Sequence, residues 1–402
     1  MHCARLVVLA CLFAFAFPVH PAFSDEPKKP ETRKTEEKEL YNDGSIHFRV
    51  PLDSKGQRHG QYTAWYPGGK KKVQERVRYE HGQRVGDRAL YAEDGTLIGD
   101  ETWVHGKLVL PKSQRMIEAE RARLLKAAAA FVVRMGKPTN PNAPTSEELA
   151  RALAKLNGYR YLCDLQADVV LDDEEINLCQ YASEVLAKLG HLTHTPEKPS
   201  GYDDKAYQLG RDGCGHSNIF QGGDAIASVS AYMNDSDASN IDRLGHRRWI
   251  LHPSMAKTGF GMSGQFSAMY SFDGSRQNTP DYEYVCFPPR GWCPMNMFGP
   301  NWAWSVSVNP AKYKVTDGAK LEIFPVDSSL ARAARPLASE YAHLDRGGYG
   351  VNNAIIGRPP ATAVRPGVVY EVVVRGVNTQ DDMPADISYY VSFYNAPASA
   401  GP

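Results

Sequence analysis

The spacing of apolar residues changes near residue 260, and this change is the strongest constraint on the fold. Between residues 116 and 251, apolar side chains recur at helical spacing, as in the face formed by Leu149, Leu153 and Leu156. From Phe266 to Phe272 the spacing becomes two, which is typical of a half-buried strand. Beyond residue 302 only strand signals are convincing, at 304–308, 321–324, 368–374 and 388–393. The chain is therefore predicted to be of the α+β class.

Local signals mark the ends of the helices in the middle of the chain. Thr145 and Glu148 have the spacing of a capping box, and Asp172 and Glu175 begin a second helix in the same way. Gly190 is predicted to end that second helix. Three further helices are predicted from the apolar pattern, at 116–135, 226–233 and 241–251.

A glycine-rich pattern repeats in the first third of the chain. The segment Gly56-Gln-Arg-His-Gly60 is followed 26 residues later by Gly82-Gln-Arg-Val-Gly86, and a third copy starts at His105. Glycines at the loop positions, with alternating apolar residues between them, predict stacked β-hairpins over 40–112. The copies resemble degenerate MORN-type repeats, which implies a module that contacts protein or lipid. A generic β-meander that packs on the next domain is the alternative.

The first residues predict export from the cytoplasm. Arg5 precedes an apolar run from Leu6 to Phe17, which is too short to span a bilayer as a mature helix and has the form of a signal peptide over 1–24. The Pro-, Lys- and Glu-rich residues 25–39 are predicted to be a linker. The protein is thus expected to be secreted, or periplasmic and associated with the cell envelope, without a transmembrane segment after cleavage.

Charge excludes one class of partner, and the cysteines suggest one covalent link. With 46 basic and 46 acidic residues there is no net positive field for phosphates, so nucleic acid is not an expected partner. Five cysteines remain after removal of the signal peptide, which leaves one unpaired. Cys286 and Cys293 flank a Pro- and Gly-containing turn that suits a small disulfide loop, and two buried thiols are the alternative.

Three segments in order resemble the CAP superfamily, the fold of sperm-coating and pathogenesis-related proteins. The helix from Tyr181 runs into Leu189-Gly-His-Leu-Thr-His194, as the first long helix of that family runs into its first cleft histidine. Gly215-His-Ser-Asn-Ile219 lies where the family has a turn before a helix. Gly245-His246-Arg-Arg-Trp-Ile-Leu-His-Pro253 resembles the segment with the second cleft histidine. The resemblance covers residues 145–300.

The resemblance implies an α-β-α sandwich with an open cleft, and a divalent metal, most simply Zn²⁺, bound by His194 and His246. Ser217 departs from the family pattern, because a carboxylate is usual at that position. Asp235 is the candidate for the second carboxylate, and His216 is a candidate replacement for the first. The expected cleft residues are therefore His194, His216, Ser217, Asn218, Asp235 and His246. The expected organisation is a signal peptide at 1–24, a linker at 25–39, MORN-like repeats at 40–112, a helix and Pro-rich linker at 113–144, the CAP-like domain at 145–300 and a small β-sandwich at 301–402.

Common catalytic signatures are missing from the sequence. It contains no Gly-x-Ser-x-Gly elbow, no His-Glu-x-x-His motif and no phosphate-binding loop. The favoured function is therefore a non-catalytic extracellular binding module whose partner is an envelope protein, a lipid or a glycan. The alternatives are a metal-dependent hydrolase, such as a peptidase, that uses the same cleft, and a sterol or lipid carrier.

Overall fold

The computed structural model describes residues 34–68 and 72–397 of the chain. The predicted signal peptide lies outside these residues, as does most of the predicted linker. The part of that linker that is described is not an unstructured connection, because Glu36–Leu40 is already a β-strand. The linker prediction of 25–39 was therefore too long at its C-terminal end.

The N-terminal region is one seven-stranded antiparallel sheet. Its strands follow each other in sequence order, each one paired with the next, as in a meander. Glycines with left-handed φ angles, among them Gly56, Gly82 and Gly106, form the turns. The strands are β1 (Glu36–Leu40), β2 (Ile46–Pro51), β3 (Gly60–Trp65), β4 (Val73–Glu80), β5 (Gln83–Tyr91), β6 (Leu97–Val104) and β7 (Lys107–Leu110).

Six α-helices follow within the described residues, and the capping signals placed two of them correctly. The side chains of Thr145 and Glu148 form the predicted capping box, and Asp172 accepts hydrogen bonds at the start of the next helix, which ends at Gly190. No helix in the described part of the chain combines the length and apolar character needed to cross a bilayer. The helices are α1 (Gln114–Met135), α2 (Ser146–Leu162), α3 (Asp173–Leu189), α4 (Asp204–His216), α5 (Ala225–Asn234) and α6 (Gly245–Ile250).

A small sheet lies against α3 and carries part of the site described below. It has three antiparallel strands in the order β11, β12, β9. Two further strands, β8 just before α3 and β10 just before β11, pair with each other in parallel. These strands are β8 (Val170–Leu171), β9 (Ser217–Gln221), β10 (Lys257–Thr258), β11 (Phe260–Ser263) and β12 (Phe266–Tyr270).

Two four-stranded sheets make up the rest of the chain. One has the order β13-β15-β18-β17, and the other has the order β14-β20-β19-β16. In the second sheet β14 pairs in parallel with β20, while the neighbouring pairs are antiparallel. The strands are β13 (Tyr284–Phe287), β14 (Gly291–Pro294), β15 (Trp304–Val308), β16 (Tyr313–Val326), β17 (Tyr341–Asp345), β18 (Ala354–Arg358), β19 (Val369–Thr379) and β20 (Ile387–Tyr394).

The predicted fold was wrong. The protein is not an α-β-α sandwich flanked by hairpins and a small sandwich, because strands account for 35% of the structure and helices for 24%, and the strands form several separate sheets. The hairpin repeats are joined into one meander. The C-terminal region also forms no sandwich by itself, since both four-stranded sheets take a strand, β13 or β14, from before residue 300.

One continuous apolar core connects the middle and the end of the chain. It includes Leu149 and Tyr159 of α2, Trp304 of β15 and Phe393 of β20, all fully or almost fully buried. The end of the N-terminal sheet also packs on this part, because Leu110 contacts a cluster that contains Tyr390. The packing of the core therefore does not stop at residue 300.

The predicted disulfide is not formed. Cys286 lies in β13 and Cys293 in β14, and both are buried free thiols, as are Cys163, Cys179 and Cys214. Burial raises the pKa of Cys286 to about 12, so the thiol stays protonated at neutral pH. The alternative interpretation of these two residues as buried thiols is therefore the one that describes the structure.

Glu175 makes the stability of the fold sensitive to pH. Burial, with Asp273 and Asp172 nearby, raises its pKa to about 8, and one carboxyl oxygen has no hydrogen-bond partner. A raised carboxyl pKa stabilises the fold below the unfolded value of about 4.5, and this contribution is lost as the pH rises towards 8. Glu175→Gln should therefore raise the free energy of unfolding at pH 8 by roughly 2 kcal/mol and leave it nearly unchanged at pH 5. Urea unfolding at both pH values measures this, and Glu174→Gln, at an exposed position of the same turn, is the matched control; an equal effect of the two variants would contradict the prediction.

Candidate functional site

A cavity of about 500 Å³ opens where the segment after α3, the start of β9 and helix α6 meet. Its wall combines polar and aromatic side chains. The polar ones include two histidines, two asparagines and an arginine. The lining side chains used below are His194, Asn218, Asn240, Arg243, His246, Trp249, Phe272 and Tyr349. Cavities with a few fixed polar groups among aromatic walls are the usual form of small-ligand sites.

Asp235 orients the His246 ring from the side that faces away from the cavity. The Nδ1 atom of His246 lies 2.8 Å from Oδ1 of Asp235, and the backbone N–H of His246 donates to Oδ2 at 2.9 Å. Asp235 can face α6 because it ends α5 in a left-handed conformation with a φ of 47°. It is buried and does not line the cavity. The contact occupies Nδ1, so Nε2 is the ring nitrogen of His246 left for a ligand.

Asn218 links three elements below the cavity. Its side-chain amide donates to the backbone carbonyl of His246 at 3.0 Å. Its own backbone carbonyl accepts a hydrogen bond of 3.0 Å from the Tyr232 hydroxyl. Burial raises the pKa of Tyr232 well above its usual value, so this hydroxyl remains a donor at physiological pH. Strand β9, helix α5 and helix α6 are thereby held in one arrangement.

His194 is oriented by a different element. Its Nδ1 atom lies 2.8 Å from the backbone carbonyl of Cys214 in α4. This carbonyl can only accept, so Nδ1 carries the proton and Nε2 is an acceptor. The structure thus brings His194 and His246 to one cavity, and each ring has one nitrogen engaged by the protein.

Of two further predicted cleft residues, Ser217 lines the cavity and His216 does not. His216 ends α4 and does not line the cavity; its Nδ1 atom lies 2.9 Å from the Asp212 carbonyl oxygen. The hydroxyl of Ser217 lies 3.5 Å from the buried Sγ of Cys179. A nucleophilic serine needs a base within hydrogen-bond reach, and the contact of this hydroxyl is a core thiol. The structure therefore gives no support to Ser217 as a nucleophile.

The cleft does not fit a metal site in which His194 and His246 are joined by a third ligand from Asp235 or His216. Protein zinc sites use three or four side-chain ligands. Neither Asp235 nor His216 is free to be that third ligand, because Asp235 is hydrogen-bonded to Nδ1 of His246 and His216 pairs with Asp212. Among the described residues, the group of three possible metal ligands within 4.8 Å of one another lies in the N-terminal sheet and not here.

Aromatic residues that the sequence analysis did not assign to the site form one wall of it. The rings of Trp249 and Phe272 are stacked, with centroids 4.2 Å apart and planes 26° apart. Trp249 follows His246 by three positions in α6, so the spacing of a helical face was a signal that could have identified it. Tyr349 comes from a loop between two strands, where no local pattern points to it.

The loop with Tyr349 is held by a buried arginine. The guanidinium of Arg248 lies 5.1 Å from the centre of the Tyr349 ring. It donates to the carbonyl of Val351 at 2.6 Å and forms an ion pair with Asp345. A delocalised cation over an aromatic face is attractive, and more so when water is excluded. Helix α6 therefore sets the position of this wall of the cavity as well.

Comparison with known proteins identifies no relative. No protein-family model, no curated protein and no solved structure matches this chain. The resemblance to the CAP superfamily consequently rests on the sequence segments 189–194, 215–219 and 245–253 alone.

Proposed function

We propose that this chain is an extracellular carbohydrate-binding protein and that a short oligosaccharide occupies the cavity between His194 and His246. The observation that carries the proposal is the stacked pair of Trp249 and Phe272 in the same cavity as the two oriented histidines. A sugar ring has an apolar C–H face and a rim of hydroxyl groups. The aromatic wall suits the face, while Asn, Arg and His side chains suit the rim.

The polar groups of the cavity support binding because they are already ordered. Asp235 holds His246, the Cys214 carbonyl holds His194, and Asn218 is itself hydrogen-bonded and buried. Fixed side chains lose little conformational entropy when a ligand arrives, so more of the contact energy appears as affinity. Each imidazole Nε2 is able to accept from, or donate to, a sugar hydroxyl according to its protonation state.

Export from the cytoplasm is consistent with a carbohydrate-binding role. The prediction of export rests on the sequence alone. The apolar run from Leu6 to Phe17 predicts a signal peptide. Complex glycans are concentrated outside the cytoplasm, on cell surfaces and in envelopes. An exported protein with this cavity would meet its ligand there.

Hydrolysis is the second candidate, and one contact favours it. A carboxylate bonded to Nδ1 orients an imidazole and stabilises its protonated form, as in enzymes that use histidine as a general base. The pair of Asp235 and His246 has this geometry, with Nδ1 and Oδ1 2.8 Å apart. In that case His246 would activate water, because Ser217 is not placed as a nucleophile. Recovery of the oligosaccharide separates the two functions: an intact sugar supports binding, and a shortened sugar supports hydrolysis.

Removal of the aromatic wall should abolish most of the affinity. In an array of neutral and acidic tri- to pentasaccharides, we expect the wild-type chain to select a class of glycan. Trp249→Ala should weaken binding of the best array ligand at least tenfold, about 1.4 kcal/mol, because stacking is lost. Trp249→Phe should retain part of that affinity. Calorimetric titration measures both.

The matched control is His216→Ala, because His216 contacts the Phe272 ring but does not line the cavity. Its affinity for the same sugar should equal that of the wild type. Circular dichroism of each variant verifies the fold. Equal binding by wild type and a folded Trp249→Ala variant, or binding to no member of the array, would refute the carbohydrate proposal.

A further inference from the structure

A second cluster of polar side chains lies in the N-terminal sheet, far from the cavity in sequence. Asp53 and His59 belong to the connection between β2 and β3, and His81 belongs to the turn between β4 and β5. Each side chain offers one ligand atom, and these atoms all lie within 4.8 Å of one another. Two imidazoles and a carboxylate form a donor set that transition metals favour over Ca²⁺ and Mg²⁺.

The meander itself brings the three residues together. The backbone N–H of Gly82 donates to the carbonyl of Arg58 at 2.9 Å, which ties the second connection to the first. His81 has a left-handed φ of 47°, and its ring centroid lies 4.8 Å from that of His59. Neighbouring connections of one meander thus supply the two imidazoles.

Asp53 is held in an orientation suited to a ligand. One carboxyl oxygen, Oδ1, accepts from the backbone N–H groups of Lys55 at 2.8 Å and Gln57 at 3.0 Å. The other, Oδ2, lies 2.9 Å from Nδ1 of His81. The backbone thus fixes Oδ1, and Oδ2 is the carboxyl oxygen that faces His81.

We propose that Asp53, His59 and His81 form a binding site for one divalent transition-metal ion, with Zn²⁺ the best match and water as the remaining ligand. Zinc bonds to nitrogen and oxygen are about 2.0 to 2.2 Å long, so ligand atoms in a tetrahedral site lie roughly 3.3 Å apart. The ligand atoms lie within 4.8 Å of one another, and Oδ2 of Asp53 and Nδ1 of His81 are already 2.9 Å apart, so side-chain shifts of about 1.5 Å or less give this spacing. The bound ion would cross-link two successive connections of the meander.

The next copy of the repeat provides an internal control. His105 has a φ of 46°, close to that of His81, and the N–H of Gly106 donates to the carbonyl of Arg84 at 2.9 Å, as Gly82 does to Arg58. Val85 stands where His59 stands one repeat earlier, since 59 plus the repeat of 26 is 85. Both copies therefore have the same left-handed histidine and the same backbone hydrogen bond, but His105 does not belong to the three-ligand group.

The test is calorimetric titration of Zn²⁺ into the full chain, expressed without a histidine tag and freed of metal with a chelator. The wild type is expected to bind one ion, and Co²⁺ in its place should give the intense visible absorption of a tetrahedral site. The double variant His59→Ala, His81→Ala should bind Zn²⁺ at least 100-fold more weakly and lose the Co²⁺ absorption. His105→Ala should behave as the wild type.

A second double variant, His194→Ala, His246→Ala, separates this site from the cavity. It should retain the stoichiometry and affinity of the wild type, whatever the cavity binds. Retention of the Zn²⁺ and Co²⁺ signals in the folded His59→Ala, His81→Ala variant would overturn the proposal. So would their loss in the His194→Ala, His246→Ala variant, or the absence of any signal in the wild type.

Discussion

Replacement of Arg247 by alanine is expected to lower the free energy of unfolding by about 4 kcal/mol, because removal of one partner from a buried charged network leaves its other members unsatisfied. The guanidinium is fully buried and donates to the carbonyls of Met233, Asn234 and Ala303, each at 2.7 Å. It also donates to the Ser305 hydroxyl at 3.0 Å. Arg247 thus joins helix α5 to the segment that enters β15.

Urea unfolding measures this loss of unfolding free energy, and comparison with two further variants shows its cause. Arg247→Met restores most of the side-chain volume, so the part of the loss that remains belongs to the unsatisfied carbonyls. Arg243→Ala is the control, because Arg243 pairs with the exposed Asp242 and such surface pairs contribute about 0 to 1 kcal/mol. A loss below about 1 kcal/mol for Arg247→Ala would show that the network does not stabilise the fold.

Gly261→Ala is expected to cost about 3 kcal/mol, since even one added methyl group has no space where a helix and a strand are in backbone contact. A Cβ atom at Gly261 would lie 2.2 Å from the backbone carbon and oxygen of Cys179 in α3. The neighbouring Gly259 meets the backbone of Glu175 equally closely. These glycines allow α3 to lie directly on β11, so the larger residue has to push the helix away.

Thermal unfolding of the Gly261→Ala variant should show a markedly lower midpoint. The control is Gly274→Ala, where a Cβ atom would meet nothing within 4 Å and the backbone is not left-handed. That change should alter the free energy of unfolding by less than about 1 kcal/mol, so the midpoint should stay close to that of the wild type. Equal midpoints for the two variants would mean that α3 tolerates a shift without loss of packing.

Local signals in the sequence were reliable for helix ends, because the groups that cap a helix are close to it in the chain. Thr145, Asp172 and Gly190 all have the predicted roles. The predicted helix at 241–251 begins later, at Gly245, because the residue before it, Leu244, is left-handed and provides no side-chain cap. Its starting point is set instead by Asp235, which accepts from the backbone of α6 and is ten residues before Gly245.

Helix α4 was not predicted, and its packing explains why. Gly210 and Gly213 lower its intrinsic helix propensity. In the folded chain they face α3 so closely that Cβ atoms would lie 2.7 Å from the Tyr181 carbonyl oxygen and 2.2 Å from that of Leu178. Contact between the two helices therefore stabilises a segment that its own sequence disfavours.

The sheets and one wall of the site depend on contacts between distant residues. Strand β15 alternates apolar residues with serine but is buried along its whole length, so its sequence pattern did not show that both of its faces are covered. The histidines of the cavity were found from motif context, and Trp249 could have been found from its helical spacing. Tyr349 could not, since it reaches the cavity only through the contacts of Arg248 with its loop. The fold expected from the CAP resemblance was wrong because strands from both sides of residue 300 share their sheets.

The parallel pairing of β14 with β20 determines when the core can close during synthesis. Gly291 lies opposite Val391, so β14 emerges from the ribosome long before its partner strand exists. Phe298 and Trp304 are likewise synthesised before Phe393, whose ring they contact in the folded protein. A nascent chain in this interval presents large aromatic surfaces to its surroundings, and such long-range pairings form slowly. Production of the protein should therefore depend strongly on holding chaperones, and a stalled or shortened chain should be a substrate for proteases.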